Sequence, residues 1–235
     1  VKDGRLYGRG SGDNKSGVVV HYNVVKKLLE DLPVNIRIFI EGEEEIGSPT
    51  MSDFIEQNRE ALEADVIVIA DSANVKIGVP TITTTLRGLV DGFIEVNQPM
   101  RPVHSGMGGG IVPDAFMVLS KIIASFHDDK GNLQIEGLTS TDMNVIELDE
   151  SYTKKMLGSE EINLFNAESI SKRLWLEPAL DVLAIDAPPV KDAVNLVIPK
   201  ASAKISLRLP PTEDPEHAMK MLEEHVMKNI PWNAS

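Results

Sequence analysis

From Ser16 to Ala70 the hydrophobic pattern changes period three times, and that alternation constrains the fold more than any other feature. Val18, His21, Val25, Leu28 or Leu29, and Leu32 recur at about 3.6 residues, and Pro33 closes the segment, so residues 16–30 are expected to form a helix. Residues 34–40, Val-Asn-Ile-Arg-Ile-Phe-Ile, then alternate as a strand. A second helix is expected from Pro49 to Leu62, with Ser48 as its cap and Pro49 at its first position. Residues 65–70 are a short apolar run of the kind found in buried parallel strands. Strand and helix in alternation predict an α/β fold with a mostly parallel sheet and flanking helices. Ligands of such sheets bind beyond the carboxyl ends of the strands. Glu43, Glu44 and Glu45 follow one such end, Asp71 follows the other, and Asp13 directly precedes the first helix.

The pattern changes after Pro80. Leu86 to Gln98 reads as a strand, Pro113 to His127 as a helix, and Asn195 to Pro211 as a strand or hairpin arm. Within that arm Ala201, Ala203, Ile205, Leu207 and Leu209 alternate with Ser202, Lys204, Ser206 and Arg208, the period-2 signature of a half-exposed sheet. Asp214 to Asn229 is amphipathic and helical. This order predicts an α+β domain, an antiparallel sheet with two helices on one face. The polar stretch between them holds a helix or two around residues 150–175 and otherwise shows no period. His21 is expected to pack in the first helix, whereas His127, His217 and His225 are expected to face solvent.

Composition removes several functions. Thirty-six acidic against 23 basic side chains give a net charge of −13, which repels a phosphate backbone and makes nucleic acid an unsuitable partner. There is no cysteine, hence no disulfide, thiolate metal site or cysteine nucleophile. No apolar run approaches the roughly 20 residues that a membrane helix needs, and no signal-peptide pattern opens the chain. The expectation is a soluble cytoplasmic protein without a membrane partner.

Each acidic position has a structural reading beside a chemical one. Asp13 can cap the helix that follows it. A triple glutamate is ordinarily a solvated acidic face. Asp71 can close a turn at a strand end. The glycine-rich loop before Lys15-Ser16 is not a phosphate-binding P-loop, because Asn14 stands where that motif needs glycine. What favours chemistry is convergence: separated carboxylates at strand ends supply what a divalent metal needs, and a free glutamate beside a ligating one supplies a proton carrier.

Three motifs stand out, Leu6-Tyr7-Gly8-Arg9-Gly10-Ser11-Gly12-Asp13-Asn14-Lys15, Glu41-Gly42-Glu43-Glu44-Glu45-Ile46-Gly47-Ser48 and Ile69-Ala70-Asp71-Ser72. They resemble the successive metal-site motifs of metallopeptidase family 20, which includes carnosinases, aminoacylases and related deacylases. Leu86-Arg87-Gly88 with Val103-His104-Ser105-Gly106, and Val197-Ile198-Pro199 with Leu207-Arg208-Leu209, agree with the same family in order. The glutamate context and the long insert after His127 resemble the carnosinase-like dipeptidase branch.

The resemblance implies a zinc-peptidase catalytic domain, present in part over residues 1–85. It implies a lid and dimerisation domain over 86–229 and a linker over 230–235. Two divalent ions are implied, zinc first and manganese or cobalt as alternatives, with Asp13 bridging them, Glu45 binding one and Asp71 the other. Glu44 would be the general base toward a metal-bridging hydroxide. His104 would polarise the scissile carbonyl, Arg208 would clamp the substrate carboxylate, and Asn195 would lie nearby. The substrate would be a dipeptide or N-acyl amino acid, and the protein a homodimer through its second domain. Family members add a histidine ligand to each metal, and neither is found here, since no histidine precedes His21 and the sequence stops at Ser235. The chain also opens at Val1 inside a Lys2-Asp3-Gly4 turn signal. It is therefore expected to be an internal fragment, inactive alone, with a non-catalytic fragment acting through dimerisation as the alternative.

Overall fold

The computed structural model describes residues 1–235 except 70, 73, 77, 166 and 167. The chain divides into two compact units, Val1–Ile82 and Thr83–Ser235.

In the first unit, helix α1 spans Lys15–Leu28 and is capped by Asn14, whose side chain accepts from the Gly17 amide. Lys26 and Lys27 occupy its last turn, where cations complement the helix dipole. The second expected helix is two, α2 at Met51–Gln57 and α3 at Arg59–Leu62. They are interrupted at Asn58, whose side chain donates to the Phe54 carbonyl at 2.8 Å. The cap is Thr50, not Ser48, because Gly47 and Ser48 both take left-handed conformations with φ of 84° and 51°. His21 is half-buried, not a core residue.

The mostly parallel sheet expected here is corrected by the structure. Every strand pairing among the described residues is antiparallel, and residues 34–40 and 65–69 join no ladder; the last position of the second run, Ala70, lies outside the described residues. Alternation gives a segment strand propensity, but a parallel strand also needs a hydrogen-bonded neighbour and cover on both faces. Neither is present: Ile38 is 62% exposed and Ile67 78%. No described residue of this unit is buried.

The second unit carries the core. Its elements in order are β1 (Gly88–Asn97), β2 (Val103–His104), α4 (Ser105–Gly108), α5 (Ala115–Ser125), α6 (Glu150–Met156), α7 (Ile170–Trp175), β3 (Ala179–Asp186), β4 (Leu196–Val197), β5 (Lys200–Leu209) and α8 (Pro215–Lys228). Strands β1, β5 and β3 form one antiparallel sheet in that order, with Val90 opposite Leu207 and Leu180 opposite Leu207 on the other side. Val90, Ile94, Val96, Ala203, Ile205 and Leu207 project into a single cluster with Val118, Leu119, Ile122 and Phe126 of α5 and its end and with Ala218 and Leu222 of α8. Asp214 caps α8, accepting from the His217 amide at 2.8 Å, with Pro215 at the first helical position. His225 does not face solvent as expected. It is half-buried, meets Ser125 Oγ at 3.0 Å and stacks on Phe126, and burial holds its imidazole below the ordinary range. Ser235 brackets Asn97 at the end of β1, its carbonyl accepting at 2.7 Å and its hydroxyl donating at 3.0 Å. No helix among the described residues is long and apolar enough to cross a membrane.

Glu213 fastens the loop before residue 141 to the start of α8. Its buried carboxylate accepts from the Thr139 amide and hydroxyl, both at 2.7 Å, and from His217 Nδ1 at 2.7 Å. Burial pushes this carboxyl up, yet the hydrogen bonds from His217 and Thr139 hold it below the ordinary glutamate value. Its stabilisation is thus complete above that value and lost as pH falls through the depressed one. Glu213→Gln is expected to cost about 1–3 kcal/mol near neutral pH, and urea unfolding should show the gap to the parent narrowing in acid. A gap unchanged from neutral to strongly acid solution would contradict this assignment.

Candidate active site

The acidic residues of the first unit are sorted by the local fold into those that hold the backbone and those left available. Around the glycine-rich loop, Lys15 turns back on its own segment: its amide donates to the Gly10 carbonyl at 2.9 Å and its Nζ to the Arg9 carbonyl at 3.0 Å. Gly10 sits at φ of 70°, and a Cβ there would stand 2.5 Å from Lys15 Nζ. The Lys15 head can swing aside, so it is the left-handed backbone that favours glycine here. Because Asn14 caps α1, the capping role open to Asp13 is taken by its neighbour.

The triple glutamate divides in the same way. Glu43 accepts from the Thr50 amide at 3.3 Å and from the Thr50 hydroxyl at 2.6 Å, closing the loop into α2. Glu44 and Glu45 instead open a short 3₁₀ turn, Glu44–Ile46, which Gly47 ends by donating its amide to the Glu44 carbonyl at 2.9 Å. The Glu44 carboxyl is raised from its ordinary value, first by desolvation and then by the negative charges of Glu45, Asp71, Asp13 and Glu41. Since the residue as a whole stays exposed, the neighbouring charges are the cause with physical weight. The fields of these carboxylates thus reach Glu44. Glu41 adds an oxygen, Oε1, that is buried without a hydrogen-bond partner among the described residues.

This donor set is all oxygen and strongly negative, which suits a hard or borderline divalent cation. Its spacing is looser than a coordination sphere: among the described residues no three carboxylates or imidazoles stand close enough to hold an ion together.

The second unit presents polar residues on a frame fixed by its core. Asp114 accepts from the Met117 amide at 3.1 Å through Oδ1 and from the Ile198 amide at 3.1 Å through Oδ2. The Ala115 amide returns a bond to the Ile198 carbonyl at 3.0 Å. The buried helix α5 thereby grips the turn after β4. That strand pairs with β2, setting Leu196 opposite His104 and Val197 opposite Val103. The Ser105 amide then donates to the Asn195 carbonyl at 2.9 Å. Asn195 and His104 are therefore neighbours. The turn reading of His104 is also realised, since its Nδ1 caps α4 by accepting from the Gly106 amide at 3.0 Å.

Arg208 lies on the exposed face of the three-stranded sheet, opposite Leu89 and Ala179. No hydrogen bond or ion pair joins it to the His104–Asn195 pair among the described residues. Arg87 stands in its field: burial and then the charge of Arg208 lower the Arg87 guanidinium from its usual value, while Asp181 acts in the opposite sense. Arg87 was given no role in the sequence reading. The signal was there, because the alternation of β1 puts position 87 on the same face as Leu89 and so as Arg208. Asp114 was also missed, its cap signal showing only the helix-directed half of its work.

Comparison with known proteins bears on both units. A family model described as peptidase family M20/M25/M40 matches residues 1–229. The cysteinylglycine-S-conjugate dipeptidase of Corynebacterium striatum is 35% identical over 99% of this chain and 53% of its own length. The Beta-Ala-His dipeptidase of Homo sapiens is 31% identical over 95% of this chain and 47% of its own length. The crystal structure of an M20 family metallo-carboxypeptidase, Sso-CP2 from Sulfolobus solfataricus, superposes with a TM-score of 0.77 at 28% identity, covering 100% of this chain and 56% of that one. The chain spans about half the length of the curated relatives it matches.

If Asp114 holds the His104 strand in place, Asp114→Ala should speed hydrogen exchange at the Ser105 amide while costing about 1 kcal/mol, the usual weight of a helix cap. Exchange at Ser105 equal to that of the parent would show that β2 and β4 are held without it.

Proposed function

The chain belongs to peptidase family M20/M25/M40, and on that premise we propose that it acts in the metal-dependent hydrolysis of a peptide or amide bond. The dipeptidases from Corynebacterium striatum and Homo sapiens favour a dipeptide as substrate over an N-acyl amino acid. Asp13, Glu45 and Asp71 are the proposed acidic ligands for two divalent ions, zinc before manganese or cobalt. Bound ions would supply Lewis acidity to activate water and to stabilise charge on the scissile carbonyl.

The chain's own residues divide the remaining work. Glu44 takes a proton from the attacking water and delivers it to the leaving amine, so it must keep a free lone pair and not ligate. His104 donates a hydrogen bond to the carbonyl oxygen of the scissile bond, with Asn195 beside it. Arg208 receives the free carboxylate of the substrate, for which a planar two-pronged guanidinium is suited. The second unit is proposed to serve as lid and as the surface of a homodimer.

One observation carries this reading. Of the acidic residues in the two loops, the fold employs Glu43 on Thr50 and replaces Asp13 by Asn14 at the helix cap, leaving Asp13, Glu44 and Glu45 available beside Asp71. The alternative, a non-catalytic role through dimerisation, draws on the second unit's possession of all the buried residues described. In an active form of the enzyme, Glu44→Gln should lower kcat by about 10²- to 10⁴-fold with metal content unchanged. Hydrolysis of a dipeptide panel at the parent rate would remove Glu44 from the reaction.

A further inference from the structure

His104 sits in a turn that decides which of its ring nitrogens can act. The Gly106 amide donates to Nδ1 at 3.0 Å. A backbone N–H can only donate, so the nitrogen facing it must present a lone pair. In neutral imidazole the proton then resides on Nε2.

Position 106 is constrained in a second, independent way. A Cβ at Gly106 would stand 3.2 Å from His104 Nδ1 and 3.4 Å from its Cε1, so the ring would have to give by a few tenths of an ångström. The turn has little slack to absorb such a shift. A Cβ at Gly108 would run into the Val103 side chain, and one at Gly109 into the Ser105 carbonyl. From the other side, β4 holds His104 opposite Leu196, and the Asn195 carbonyl takes the Ser105 amide.

We infer that Gly106 is a positioning residue that locks His104 in the Nε2–H tautomer, so that this imidazole presents a hydrogen-bond donor and no outward lone pair. The consequence for chemistry is specific. Held this way, His104 can donate from Nε2 to a carbonyl oxygen, but through that nitrogen it can neither accept a proton as a general base nor ligate a metal. The inference deepens the proposed function, since the reading that His104 meets the scissile carbonyl comes from there, but the tautomer stands on the turn alone.

The test is a long-range ¹H–¹⁵N correlation spectrum of the full chain carrying ¹⁵N-labelled histidine, recorded above the titration of the imidazoles. The His104 signal is identified by its loss in His104→Ala. The expected pattern is a single Nε2–H tautomer, and Gly106→Pro, which lacks the donor, should move it toward an average of the two tautomers. A parent spectrum showing Nδ1–H or a tautomeric average overturns the inference, as does an unchanged pattern in Gly106→Pro. If the proline variant does not fold, the parent spectrum decides alone. In an active form of the enzyme, Gly106→Pro should reduce kcat more than it changes KM. Turnover unaffected by His104→Ala would instead refute the catalytic reading of His104 and leave the tautomer result intact.

Discussion

Asp114 gives one carboxylate oxygen to the helix behind it and the other to the strand turn in front, and the placement of His104 follows from that division. The helix end of the interaction is anchored by the buried side chains of Ala115, Val118 and Leu119. The strand end reaches Ile198, then β4, then β2. A polar cluster with few contacts of its own thus inherits rigidity from a hydrophobic core. Such support matters for a residue expected to act on a developing charge, where misplacement by an ångström forfeits much of its effect.

The first unit uses a different economy. No described residue of it is buried, and it is held by local hydrogen bonds, Asn14 on Gly17, Glu43 on Thr50, Lys15 on the Arg9 and Gly10 carbonyls, together with the Phe39–Phe54 stack and the Arg37 bond to the Glu63 carbonyl. These contacts consume some polar groups and free others. Asn14, not Asp13, caps α1, and Glu43, not Glu44, closes the next loop, so neither contact uses Asp13 or Glu44. The negative charges of Glu45, Asp71, Asp13 and Glu41 all raise the Glu44 carboxyl, and a bound divalent cation would oppose that effect.

Legibility in the sequence followed the length and regularity of each element. Strand β5 and helix α8 were readable because their periods run uninterrupted through Ala201–Leu209 and through a capped, Pro-initiated 14-residue helix. Strand β3 was not, because its register shifts between Val182 and Ala184 and sets Leu183 on an exposed position, which erases the alternation. Helices α6 and α7, 7 and 6 residues long, fall where a helix or two was expected around residues 150–175, but their bounds were not readable. They rest on the capping groups Asp149 and Ser169 and not on an apolar stripe that a periodicity could reveal. For the site, residue types and motif order nominate Asp13, Glu44, Glu45, Asp71, His104, Asn195 and Arg208 as candidates. The division of labour between neighbours was invisible, because Glu43, Glu44 and Glu45 are chemically identical and differ only in the turn that carries them. The mostly parallel sheet failed for a related reason: strand propensity resides in a segment, whereas pairing belongs to its neighbours.

The central proposal is that Asp13, Glu45 and Asp71 bind metal while Glu44 does not ligate. Calorimetric titration of zinc into an active form of the enzyme and its single variants measures that division directly. Asp13→Ala, Glu45→Ala and Asp71→Ala should each weaken binding, while Glu44→Gln should leave it as in the parent. Binding weakened as much by Glu44→Gln as by the other three, or unaffected by all four, would contradict the account.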